Sequence, residues 1–491
     1  TTRRPLADIN RGTSVPSAHM EGPSRASRHM VTIAANATVV ALVILLLGAH
    51  NRPDVDLWLH LRLGDFLASG GRFGLPDPFV VLADHPYLPN QWLADRAGIA
   101  VWNLAGLPGV EAIRLVGVLG LRGGILLACR QVAGPGSSAG ALVVATFCTA
   151  AGWGERPQLA GLVLLAWSYA AWLRAVRLGR TPWFLIPLAW VFASIHGLWV
   201  TSVGLGVAVT VAALVDRRLS AGQAARFLAV SVASVAAAAV TPLGPRALLE
   251  PFAVSARLAG TVNEWQRPAW TNPLLLVLLA ASAATLARWW WRRASVAPSI
   301  GRALLLAVAI VASLSAVRLL AVAAVVLAPL VAEAWSPGRE GDPREKLRRR
   351  LTRSERYTWL LAAVVTTALA LPGILRTPPP PVPVAVTSAM RSLPAGTVAV
   401  ADPRVSGWVL WSAPSVRPLR DLRSELYDRP TAAAYDRFEH AQPGWDTYAR
   451  NHDVRAALLD STGPLARAMA SDPTWQVVTE QDGWQLWRRT G

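Results

Sequence analysis

VTIAANATVVALVILLLG (residues 31–48) gives way two residues later to NRPDVDLWLHLRLGD (51–65), and the reading of that junction decides the rest. The first stretch carries no charged side chain and is long enough to cross a hydrocarbon core about 30 Å thick as an α-helix. The second holds Asp54, Asp56, His60, Arg62 and Asp65 and is too polar to enter lipid. The chain crosses once here and surfaces.

Comparable apolar runs follow at about 107–128, 137–153, 157–173, 182–196, 198–215, 223–241, 271–287, 303–317, 318–335 and 357–375. With the first they predict a polytopic α-helical membrane protein of about eleven transmembrane helices, with residues 31–375 as its transmembrane domain. Composition agrees: 491 residues, 53% hydrophobic with mean hydropathy +0.35, are too many and too apolar for one soluble core. Orientation follows from the arginines. Arg130, Arg174, Arg177, Arg180, Arg217, Arg218, Arg226, Arg288, Arg292, Arg293, Arg302 and the run from Arg339 to Arg356 all fall on the side of the N-terminus, which predicts that side to be cytoplasmic. The net charge of +18 is thereby absorbed by loops facing anionic headgroups, and nucleic-acid binding is not expected. Cys129 and Cys148 lie inside apolar runs, so neither a disulfide framework nor a cysteine metal site is expected.

Residues 1–30 are polar and arginine-rich and read as a disordered cytoplasmic tail, without the cleavage site of a signal peptide. Two outer loops are long, 51–106 and 241–270. In the first, Leu57, Trp58, Leu61, Leu63 and Phe66 suit an amphipathic helix at the interface, and 91–104 suits a second. A Pro-rich linker, 376–383, leads to an extracytoplasmic α/β domain over 384–491. There TVAVA (397–401), AALL (456–459), WQVV (475–478) and WQLW (484–487) read as strands, and 464–470 as a helix.

Chemistry concentrates on the outer side. Asp54 and Asp56, beside His60 and Arg62, suit general-base work on a hydroxyl or the holding of a divalent cation; the competing reading is a helix cap. Glu155 and Arg156 stand between two spans, and Arg318 interrupts an apolar run near the outer surface. Such arginines either bind a phosphate or pair structurally, here with Glu155 or Glu264. His196 closes a span as a substrate contact or an interhelical hydrogen-bond partner. Glu264, in the second loop, is a second acid or an acceptor contact, or simply solvated.

Asp54 to Asp65, Asp77-Pro78-Phe79, Asn90 to Leu93, Arg156-Pro157-Gln158, Ile195 to Gly197, Pro242 to Gly244, Glu264 to Gln266 and Asp421 to Arg423 together resemble a group of bacterial membrane proteins related to the GT-C glycosyltransferases. The resemblance spans nearly the whole chain. It implies transfer of a sugar from a polyprenyl-phosphate donor to a cell-envelope glycan or glycolipid on the outer face, with an acid of the first outer loop at the centre. An inverting transfer needs one base and no covalent enzyme intermediate, so Asp54 is the expected base. Asp56 would orient it or join it in holding Mg or Mn, and His60, Arg62, Glu155, Arg156, His196, Glu264 and Arg318 are the expected substrate contacts. The rival readings are a non-catalytic envelope scaffold and a lipid-linked glycan polymerase, ligase or flippase.

Overall fold

A computed structural model describes residues 25–49, 53–72, 74–88, 90–258, 262–292, 299–336, 351–376 and 378–490. Its first helix, α1 (Arg25–Ala49), starts six residues before the expected span, so that part of the predicted tail is helical; residues 1–24 lie outside the described residues. The bundle continues through α2 (Leu57–Ala68), α3 (Trp92–Val132), α4 (Pro135–Thr149), α5 (Pro157–Leu178), α6 (Leu185–Ile195) and α7 (Trp199–Val215). It is completed by α8 (Ala221–Ala238), α9 (Arg246–Leu258), α10 (Pro273–Arg292), α11 (Ile300–Ser315), α12 (Leu320–Ala334) and α13 (Arg353–Ile374). Each expected span contains a helix.

Among the described residues, six helical stretches are long and apolar enough to cross a membrane, within α3, α5, α8, α10, α13 and 317–334; Thr32–Gly48, α6, α7 and α11 are shorter apolar helices. The stretch 182–196 differs most from expectation. Its helix has 11 residues, about 16 Å of rise, because the chain turns extended at His196 (φ −162°).

The expected surface helix 91–104 is the first part of α3. Gly106, at φ 59° and ψ −150°, breaks the helical path there, a conformation that side chains with a Cβ avoid, and Pro108 follows. The other expected interfacial helix, α2, forms where the pattern places it but does not lie on lipid. Leu57, Trp58, Leu59, Leu61, Leu63 and Leu67 are all buried, between α3 on one side and the terminal domain on the other. At the opposite end of the bundle, Thr352 and Glu355 form a capping box on α13, and Glu355 also pairs at 3.0 Å with the buried Arg130 of α3.

The terminal domain comprises α14 (Val384–Arg391), β1 (Val398–Ala401), α15 (Ser406–Ser412), β2 (Arg417–Pro418), α16 (Arg429–Glu439), α17 (Trp445–Asn451), β3 (Ala456–Asp460), α18 (Pro464–Ala470), β4 (Trp475–Gln481) and β5 (Trp484–Arg489). The strands order as β2-β1-β3-β5-β4; β1 is parallel to β2 and β3, and β5 antiparallel to β3 and β4. Alternation along β1 feeds two cores. Ala399 and Ala401 join Val386, Met390 and Val409 on one face, and Val400 joins Tyr435, Phe438 and Leu465 on the other.

Sequence periodicity misses β2, which has only two residues, one of them proline, and is fixed by its neighbours. Its carbonyl at Pro418 accepts the Val81 N–H at 3.2 Å, and that of Leu419 accepts the Leu82 N–H at 3.1 Å. The loop between α2 and α3 therefore lies along the sheet edge. Trp58 of α2 meets Trp102 and Trp408 edge-on at 5.6 and 4.7 Å, and Trp102 meets Trp411 at 5.5 Å, closing an aromatic cluster between the domain and the bundle. Gly407 permits the closest approach: a Cβ there would sit 3.0 Å from the Val55 carbonyl oxygen. That carbonyl belongs to the residue between Asp54 and Asp56.

Candidate active site

The turn entering α2 is built by Asp54. Its carbonyl accepts the Leu57 N–H at 3.1 Å, and its Oδ1 accepts the Asp56 N–H at 3.0 Å, so Asp54 shapes the turn before the helix, whose N-cap residue Asp56 makes no side-chain capping bond. The Asp54 N–H donates to Glu155 Oε2 at 2.8 Å, while Arg114 of α3 donates to Glu155 Oε1 at 2.7 Å and to the Trp153 carbonyl at 2.9 Å. Glu155 thus holds the backbone of the carboxylate turn and does not pair with Arg156.

Arg156 caps α5 in an extended conformation just before Pro157, which projects its side chain off the helix start. Its Nε stands 2.7 Å from Asp54 Oδ1 and 3.2 Å from Asp56 Oδ2, and it donates from Nη1 to Glu264 Oε1 at 3.2 Å. One guanidinium gathers three carboxylates from two loops. Beside it, Arg318 lies 4.3 Å from the ring centroid of Trp265, and the Val317 N–H donates to the Gln266 carbonyl at 3.0 Å, tying 317–319 to the turn 263–265. Asp54, Asp56, Glu155, Arg156, Glu264 and Arg318 therefore meet at one mouth of the bundle.

The remaining expected residues lie around it. His60 pairs with Asp95 at 2.8 Å. Arg62 pairs with Asp65 at 3.0 Å and packs on the Phe79 ring at 5.4 Å. His196, buried, accepts the Leu198 N–H on Nδ1 at 3.1 Å within the turn that joins α6 to α7.

Burial pushes the Asp56 carboxyl above its usual value, against the pull of Arg156. For Arg156 burial works against the charge, and Asp56 and Asp54 outweigh it, so its guanidinium is held above its ordinary value. Burial lowers His60, but Asp95 more than reverses this and its pKa ends above the ordinary imidazole value. Periodicity gave no sign of Glu425. It sits on the turn 424–426 beside α9, is raised by burial and feels the charge of Asp56, so the terminal domain adds a carboxyl near the mouth.

A divalent cation at Asp54 and Asp56 does not fit the residues as arranged, because Arg156 fills the space between the two carboxylates. Among the described residues no group of three His, Cys, Asp or Glu side chains is placed to hold a metal ion.

No protein-family model matches the sequence, and no curated protein matches it. Solved structures do. The apo oligosaccharyltransferase of Archaeoglobus fulgidus aligns with TM-score 0.52 at 12% identity, covering 89% of this chain and 70% of that one. The archaeal oligosaccharyltransferase AglB from the same organism, in complex with an inhibitory peptide and a dolichol-phosphate, aligns with TM-score 0.52 at 13% identity, covering 88% and 69%. At such identity the likeness is one of fold: this chain folds as those two archaeal oligosaccharyltransferase structures do over most of its length.

Proposed function

We propose that the chain is a membrane glycosyltransferase that takes a sugar from a polyprenyl-phosphate donor and passes it to a cell-envelope glycan or glycolipid on the outer face. The observation that carries this reading is the convergence of Asp54, Asp56, Arg156 and Glu264 at one mouth of the bundle. In the proposed topology α1, α3 to α8 and α10 to α13 cross the membrane eleven times, with the N-terminus in the cytoplasm and the terminal domain outside. That orientation sets the mouth at the outer headgroup level, where a lipid-linked phosphate lies.

The chemistry is a single displacement. The acceptor oxygen bonds to the anomeric carbon as the bond from that carbon to the phosphate oxygen breaks. The electron pair leaves with the polyprenyl phosphate, and the acceptor proton passes to Asp54. Attack opposite the leaving group inverts the anomeric centre. Asp54 suits the base because Oδ1 is fixed by Arg156 and the Asp56 amide, while Oδ2 lies beside Gly154, where the missing Cβ leaves room. Arg156 and Arg318 receive the phosphate.

The purified full chain in nanodiscs, given a panel of labelled polyprenyl-phosphate sugars and an envelope lipid extract, is expected to label a glycan or glycolipid. Native mass spectrometry should detect a co-purifying polyprenyl phosphate that is lost in Arg156→Ala. No transfer from any donor and only bulk phospholipid bound would remove the reading in favour of a scaffold.

A further inference from the structure

The carboxylate pair at the mouth is already bridged by a cation from the chain itself. Arg156 Nε lies 2.7 and 3.2 Å from Asp54 and Asp56, and its Nη1 reaches Glu264 at 3.2 Å, so one guanidinium is in ion-pair contact with all three acids. A metal held by Asp54 and Asp56 would need that space, and a guanidinium and a divalent ion placed together between them would repel. The placement of Arg156 is built in. Pro157 follows it at the start of α5, and Glu155 is turned the other way by Arg114 and the Asp54 amide.

Arg318 stands on Trp265, the residue after Glu264, with its guanidinium 4.3 Å from the ring centroid. Arg156 and Arg318 together carry two positive charges, the charge of one divalent ion, on groups whose planar donor forks match phosphate oxygens.

We propose that Arg156, with Arg318 beside it, does at this mouth the work of a divalent cation, so that the site binds its phosphate-bearing donor and stabilises the departing phosphate without metal. This rests on the glycosyltransferase reading for its substrate, though not for its central test. That test is a titration of the full-length protein in nanodiscs with Mn²⁺, followed by electron paramagnetic resonance. The wild type is expected to bind no Mn²⁺ at micromolar concentration, whereas Arg156→Gln, which exposes Asp54 and Asp56, gains a site that Asp54→Asn then removes. One Mn²⁺ bound by the wild type and lost on Asp54→Asn would overturn the proposal, and since the wild type decides this, an unstable variant does not rescue it. Where transfer is measurable, EDTA should leave the rate within twofold and Arg156→Gln should lower it about a hundredfold, as loss of a transition-state donor does. Transfer abolished by EDTA and restored by Mn²⁺ would also overturn it. Absence of transfer in every condition would count against the glycosyltransferase reading and leave the Mn²⁺ result standing.

Discussion

Arg423 of the terminal domain donates to both oxygens of Asp77 in the loop between α2 and α3, at 2.5 and 3.1 Å, although 346 residues separate them. The same guanidinium reaches Asp421 at 2.6 Å, and Asp77 also accepts the Phe79 and Val80 N–H groups at 2.9 and 3.0 Å. The side chains are 3%, 0% and 0% exposed, so this is a buried network that fastens the domain to the loop that follows α2 and its Asp54–Asp56 turn. Removing one partner strands charges out of water. Arg423→Met is expected to destabilise the protein by about 3–5 kcal/mol. Calorimetry should report the loss, and limited proteolysis should cut within the linker 376–383; unchanged stability would show that the domain is held by its apolar contacts alone.

Asp54→Asn separates the two roles of this residue. Asparagine keeps an oxygen for the Asp56 N–H and so preserves the turn, but it loses the charge and the base. Transfer should fall by on the order of 10²–10⁴ while expression and thermal stability stay near wild type. Loss of folding instead would make shaping the turn the main role of Asp54.

Gly154→Ala addresses the same carboxylate from the other side. A Cβ there would lie within contact of Asp54 Oδ2, about 2.4 Å away, and must displace it. A displacement near 1 Å at a reacting group costs roughly a hundredfold in rate. The rate should drop with little change in melting temperature, and full activity would place Oδ2 outside the reaction.

Trp265→Ala removes the platform under Arg318. Cation–π contacts contribute about 0.5–2 kcal/mol, so donor binding should weaken several-fold, and Trp265→Tyr should restore most of it. Donor titration of both variants decides this, with equal losses pointing to a packing role.

His60 and Asp95 join α2 to α3 in a pH-dependent way. Because the His60 pKa is raised in the folded protein, its stabilisation is fully present below the ordinary imidazole value of about 6.5 and is lost as pH rises through the folded value. Hydrogen exchange over α2 should therefore quicken as pH rises from 6, after correction for intrinsic exchange. His60→Gln should flatten that dependence; a wild type without it would mean that the pair never ionises.

The sequence by itself determined the apolar helices of the bundle and most of the strands, but not α9, which lies in the stretch expected as a loop, nor α14 to α17 of the terminal domain. Apolar length and arginine placement need no partner to be read, and the short apolar runs TVAVA and AALL mark two neighbouring strands directly. It also singled out Asp54, Asp56, Arg156 and Glu264, which the fold brings together, since charged residues beside a span are costly unless used. Which charges meet was decided only by tertiary structure. Glu155 and Arg156 are adjacent in the chain yet face different partners, and Asp77 finds Arg423 only when a sheet edge docks on the loop after α2. Short-range periodicity carries the burial pattern of one element, whereas an ion pair depends on the packing of several elements, which no single stretch encodes.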